Sequence, residues 1–77
     1  TTQTKIDSKT RLQEYSLKKF KKLPMYKLIE NSGPRHKPTF KIEVKIKNTK
    51  STTGKGFSKK DAEQNAATKL LKNINLI

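Results

Sequence analysis

Phe40-Lys41-Ile42-Glu43-Val44-Lys45-Ile46-Lys47 alternates apolar and charged residues without interruption. Successive side chains of an extended strand leave opposite faces, so Phe40, Ile42, Val44 and Ile46 share one side while Lys41, Glu43, Lys45 and Lys47 share the other. The stretch reads as an antiparallel strand with one face buried and one in water. Downstream, Asn48 to Thr53 is a polar loop, and Gly54 to Phe57 returns as a further strand whose glycines permit close backbone approach. Ser58-Lys59-Lys60-Asp61 then opens a helix, with Ser58 as N-cap and Asp61 reaching back in a capping-box arrangement. Along that helix Ala62, Ala66, Leu70 and Ile74 recur at helical spacing, reinforced by Ala67 and Leu71, so one face is small near the start and bulky toward the end. Small residues let a helix lie close to a sheet.

Upstream, Tyr26 to Glu30 is a short strand, followed by the turn-prone Asn31-Ser32-Gly33-Pro34. Asp7 to about Phe20 forms a first helix capped by Asp7 or Ser8, with Leu12, Tyr15 and Phe20 as a ragged apolar stripe. Leu23-Pro24 ends it, because proline biases its predecessor away from helical angles. Residues 1–6 are expected to be a linker or disordered N-terminus and residues 7–77 the domain. The order is α-β-β-β-α. This is an α+β domain in which two helices pack on one face of a three-stranded antiparallel sheet, with Leu12, Phe40, Ile42, Val44, Ile46, Ala66 and Leu70 in one shared core.

The 77 residues fit one small domain. Nineteen Lys and Arg against six Asp and Glu give a formal charge of +13, well above the magnitude of about 2 to 8 that serves solubility. Self-repulsion on that scale points to a polyanionic partner, nucleic acid before an anionic membrane surface. No cysteine is present, which excludes disulfides and cysteine-based metal sites. No apolar run approaches the roughly 18 residues of a membrane span, and no membrane partner is expected. A first residue of Thr instead of Met leads to the expectation of an excised or processed piece of a longer protein.

Catalytic residues are expected to be absent. Asp7, Glu14, Glu30, Glu43, Asp61 and Glu63 are scattered, Asp61 and Glu63 do not share a helix face, and His36 is the single histidine. No metal site or cofactor is therefore expected in this domain. A reader of single strands would need exposed rings on a sheet to stack bases, whereas Phe40 falls on the apolar face. Recognition of duplex shape fits better. Lys59 and Lys60 occupy a first helical turn, where the macrodipole disfavours cations by about 0.3–1 kcal/mol each; a docked phosphate would reverse that penalty. A lone Lys-Lys pair is ordinarily a solvated turn, but here it follows Gly54-x-Gly56-x-Ser58 and precedes an alanine-rich helix. Gly33-Pro34-Arg35-His36 joins two strands and would project from the sheet, presenting carbonyls and His36 to a groove. Gln13 and Glu14 alone are ordinary surface residues.

Taken together, Gly33-Pro34-x-His36, Phe40, Gly54-x-Gly56-x-Ser58-Lys59-Lys60-x-Ala62 and Ala66-Ala67 resemble the double-stranded RNA-binding domain family, in order and spacing, over about residues 7 to 74. Asp7 to Tyr15, Leu23-Pro24-x-Tyr26 and Ala62-Glu63-Gln64 are similar to the C-terminal domain of the bacterial ribonuclease III branch. The resemblance implies that Thr10, Gln13 and Glu14 meet one minor groove of duplex RNA and that Gly33, Pro34, Arg35 and His36 enter the next. It also implies that Lys59 and Lys60, with Lys55 and Ser58, bridge the phosphates between, over roughly 16 base pairs. Leu17 stands where ribonuclease III relatives often carry a second glutamine. The resemblance further implies a separate Mg²⁺-dependent catalytic domain that cuts duplex RNA, a homodimeric parent built through that domain, a monomeric fragment and a cytoplasmic setting. The alternative is an RNA-binding module of a non-nuclease protein. A basic ribosomal or DNA-binding protein would account for the charge but not for the Gly-Pro-x-His loop.

Overall fold

The computed structural model describes residues 7–75, so the expected N-terminal linker, residues 1–6, lies outside the described residues. Helix α1 (Ser8–Phe20) is followed by strands β1 (Met25–Ser32), β2 (Thr39–Lys45) and β3 (Thr52–Gly56), and then by helix α2 (Lys59–Asn73). The strands form one antiparallel sheet in the order β1-β2-β3. This is the α-β-β-β-α arrangement expected from the sequence.

Leu12, Val44, Ile46, Ala66, Ala67, Leu70 and Leu71 form the central apolar cluster, with Tyr15, Phe20, Tyr26 and Ile74 packed at its margin. Ala62 and Ile42 are buried as well. The taper along α2 explains this layout. Its alanine end lies against β3 so tightly that a methyl at Gly54 would meet the backbone of Ala62, Asn65 and Ala66, and one at Gly56 would come within 2.6 Å of the Ala62 nitrogen. Its leucine end fills the wider space beside Val44, Ile46 and Leu12.

Phe40 departs from the expected core. It is only half-buried and outside the cluster. Its cross-strand partners are Asn31 on β1 and Gly56 on β3, so neither neighbour supplies apolar side-chain surface at the narrow end of the wedge. Strand limits also moved. β1 continues through Asn31 and Ser32, because pairing with Phe40 and Thr39 satisfies their backbone groups and overrides their turn preference. A bulge at Ile29, between Leu28 and Glu30, resets the alternation. β3 starts at Thr52, earlier than the glycines suggested, and β2 ends at Lys45 while Ile46 still points into the core at 3% exposure.

Asp7, not Ser8, caps α1: its carboxylate accepts the Thr10 N–H at 3.3 Å. The helix ends at Phe20, as expected from the sequence, and the stop is made by Lys21 in the left-handed region at φ 59° before Leu23-Pro24 is reached. Only half of the capping box on α2 forms. Ser58 Oγ accepts the Asp61 N–H at 3.1 Å, but no return bond from the Asp61 carboxylate to the Ser58 N–H is found among the described residues. Aspartate is one methylene shorter than the glutamate that usually makes it.

Candidate nucleic-acid interface

The register of the sheet brings two of the expected contact regions to one end. Ser32 pairs with Thr39 at the mouth of the β1–β2 turn, and the next residue along β2, Phe40, pairs with Gly56, where β3 hands over to α2. The Gly33–His36 turn and the start of α2 therefore emerge from the same edge of the fold.

At the start of α2, Ser58 Oγ takes the Asp61 N–H and the Ser58 carbonyl takes the Ala62 N–H at 3.0 Å. The amides of Lys59 and Lys60 have no intrahelical acceptor, by the geometry of a helix end. Both lysine side chains are exposed. Two cations and two outward N–H groups thus meet the positive end of the helix dipole, which is the electrostatic arrangement that holds an oxyanion of a phosphate. Lys55 and Lys60 border one open depression beside this turn, and Lys55 pairs across the sheet with Lys41.

In the β1–β2 connection the Lys37 N–H donates to the Pro34 carbonyl at 2.9 Å, closing a turn with Arg35 and His36 at its two central positions. Both are exposed. Gly33 holds φ at 92°, and a methyl there would lie 2.7 Å from the Lys37 carbonyl oxygen, so a side chain at this position would strain the turn and crowd its far strand. The turn presents Arg35 and His36 outward on a short, internally bonded support.

On α1, Ser8, Leu12 and Ser16 are buried while Thr10, Gln13, Glu14 and Leu17 are exposed. Spacings of three and four put these exposed residues along one face. Leu17 makes that face apolar at its far end, with 42% of its surface exposed.

One set of residues escaped the sequence reading. Gln64 Oε1 accepts the Lys9 backbone N–H at 3.3 Å, and Gln64 Nε2 donates to Asp7 Oδ1 at 2.5 Å. Lys9 Nζ reaches Glu63 Oε1 at 2.5 Å, and Ser8 Oγ shares a 2.6 Å hydrogen bond with Thr68 Oγ1. The Lys9 ammonium also stands 5.3 Å from the Tyr26 ring centroid, so α1, α2 and β1 meet at this point. The Gln64 amide, followed by the Thr10 amide, holds the Asp7 carboxyl below its usual range. Burial, followed by the charges of Glu63 and Asp7, pushes the Tyr26 hydroxyl up to about 12. That hydroxyl is buried without a hydrogen-bond partner. Because the Lys9–Glu63 pair is partly exposed, it contributes no more than about 1 kcal/mol of stability. No periodicity could have signalled this cluster, since its partners lie 54 to 60 residues apart in the chain.

Among the described residues no three His, Asp or Glu side chains gather within reach of one ion. The donors present do not fit a Mg²⁺ site, and the ion that the family resemblance implies is one of a separate catalytic domain. Among the described residues, no helix is long and apolar enough to cross a membrane.

The model of the double-stranded RNA binding motif matches residues 8–74, from the first residue of α1 to the residue after α2. The chain belongs to the double-stranded RNA-binding motif family. Among curated relatives of this motif, Ribonuclease 3 of Pelagibacter ubique is 69% identical over 92% of the chain and 32% of its own length. Ribonuclease 3 of Leptospira interrogans is 52% identical over 88% and 28%. The chain thus spans about a third of the length of these relatives. Among solved structures carrying the motif, Arabidopsis HYL1 superposes with a TM-score of 0.74 at 35% identity, over 88% of this chain and 96% of that one. The paired domains of DRB4 give 0.70 at 34% identity, over 94% and 46%.

Proposed function

We propose that this chain grips double-stranded RNA for a ribonuclease III, holding the duplex while a separate Mg²⁺-dependent, dimeric catalytic part cuts it. The observation that carries the RNA-binding half is the convergence at one end of the fold: the outward amides and lysines of Lys59 and Lys60, and the projecting turn of Arg35 and His36. Phosphate contacts of this kind position a protein on a nucleic acid, and groove shape with 2′-hydroxyl contacts separates duplex RNA from duplex DNA. The ribonuclease half is supported by identity. The two Ribonuclease 3 relatives are 69% and 52% identical to this chain, against 35% for the plant protein HYL1, which favours the nuclease parent over a stand-alone module.

The test is equilibrium binding of the chain to matched duplex RNA, duplex DNA and single-stranded RNA at physiological salt, with Mg²⁺ present and the RNA recovered afterwards. Duplex RNA should bind well above the other two and return uncut. Equal affinity for the RNA and DNA duplexes would overturn the binding assignment. Strand scission that persists after removal of contaminating nucleases would overturn the division of labour.

A further inference from the structure

We propose that Asp7, Lys9, Glu63 and Gln64 form a clasp that sets the offset between the groove-facing surface of α1 and the phosphate-facing start of α2, with Gln64 as its positioning residue; this rests on the duplex RNA binding proposed above. The middle of α1 is held by apolar burial of Leu12, which is non-directional and tolerates sliding. Its first turn, which carries Thr10, is fixed to α2 by polar bonds: Asp7 and the Lys9 amide to Gln64, the Lys9 ammonium to Glu63, and Ser8 to Thr68. Hydrogen bonds are directional and fix a register. Lys60 and Gln64 are four residues apart on α2 and share a face, and Asp7, Lys60 and Gln64 border the same depression. The clasp therefore sits one helical turn from the phosphate site.

Gln64 is the one neutral member of the four and the one that both accepts and donates. Its carbonyl oxygen takes the Lys9 N–H while its amide gives to the Asp7 carboxylate. A carboxylate at position 64 could not donate, and a methyl could do neither. A duplex long enough to reach α1 and the β1–β2 turn together requires the two to be held at a fixed offset. A short duplex that meets only one groove does not.

The experiment titrates the intact chain with RNA duplexes of about 10 and about 20 base pairs, bracketing the roughly 16 that such a domain spans. Gln64→Ala should lose affinity for the longer duplex by about tenfold, the equivalent of one or two hydrogen bonds. Its affinity for the shorter duplex and its salt slope should stay as in the wild type, because no charge has changed. Gln64→Glu alone should share the long-duplex loss. Asp7→Asn combined with Gln64→Glu should restore it: the amide then sits at position 7, where it still caps α1, and donates to the carboxylate at position 64, with net charge preserved. If Gln64→Ala does not fold, the comparison of Gln64→Glu with the double variant decides the same point. Equal losses on both lengths, no loss on the longer duplex, or failure of the double variant to rescue would overturn the clasp. Failure of the wild-type chain to bind either duplex would instead overturn the reading on which it rests.

Discussion

Gly54→Ala should be among the most damaging single-methyl changes this domain can receive. The added carbon would lie 2.7 Å from the Ala62 carbonyl oxygen and from the Asn65 carbonyl carbon, and closer still to the Ala66 nitrogen, where ordinary contact begins near 3.4 Å. All three obstacles are backbone of α2, so no side chain can rotate away. The helix itself must retreat, which uncovers Ala62 and Ala66, both at 0% exposure. Overpacking of a well-packed core typically costs about 1–3 kcal/mol, and a rigid backbone neighbour places this case at or above about 3 kcal/mol. The whole domain holds only about 4–12 kcal/mol, at 0.05–0.15 kcal/mol per residue. Since 1 kcal/mol moves the midpoint of a domain this size by about 4–8 °C, Tm should fall by at least about 12 °C. Thermal unfolding followed by circular dichroism measures this, with Lys55→Ala on the neighbouring exposed residue as a control expected within about 0.5 kcal/mol of wild type. A Tm loss under about 4 °C for Gly54→Ala would show that α2 is not held against β3 as tightly as the wedge requires.

Lys59→Ala with Lys60→Ala should weaken duplex RNA binding and flatten its dependence on salt by about two released counterions, while Tm stays level or rises as two cations leave the positive end of the helix dipole; an unchanged salt slope in a folded double variant would remove the phosphate site. Tyr26→Phe should stabilise the fold by about 1 kcal/mol, since it deletes a buried hydroxyl that has no partner. The same change should alter the alkaline limb of stability. With its pKa pushed up to about 12 from 10.0, folded Tyr26 favours the protonated form, so its contribution is complete below about pH 10 and is lost as pH rises from 10 toward 12. Denaturant unfolding across that window should show a smaller loss for Tyr26→Phe than for wild type, and parallel curves would contradict the burial of the hydroxyl.

The period-two run at Phe40 to Ile46 specified a one-sided strand, and the alanine-to-leucine gradient from Ala62 to Leu71 specified a helix able to lie close at one end. Both are consequences of side-chain direction, which is a local property of the backbone and is written in residue order. The exposed placement of Lys59, Lys60, Arg35 and His36 was legible for the same reason: a capped helix start and a Gly-Pro turn are built from neighbours in the chain. What the sequence by itself could not determine was which elements lie opposite one another. Phe40 has the pattern of a core residue, yet its burial depends on Asn31 and Gly56, partners fixed by strand register. Asn31 and Ser32 have the composition of a turn and became strand once β2 could pair with them. Ala62-Glu63-Gln64 carries part of the family resemblance, but nothing in it signals what Gln64 bonds to. Only the packing of α1 on α2 brings Asp7 and Lys9 within hydrogen-bonding distance of it, because contacts across more than fifty residues are set by how the layers stack and leave no period in the sequence.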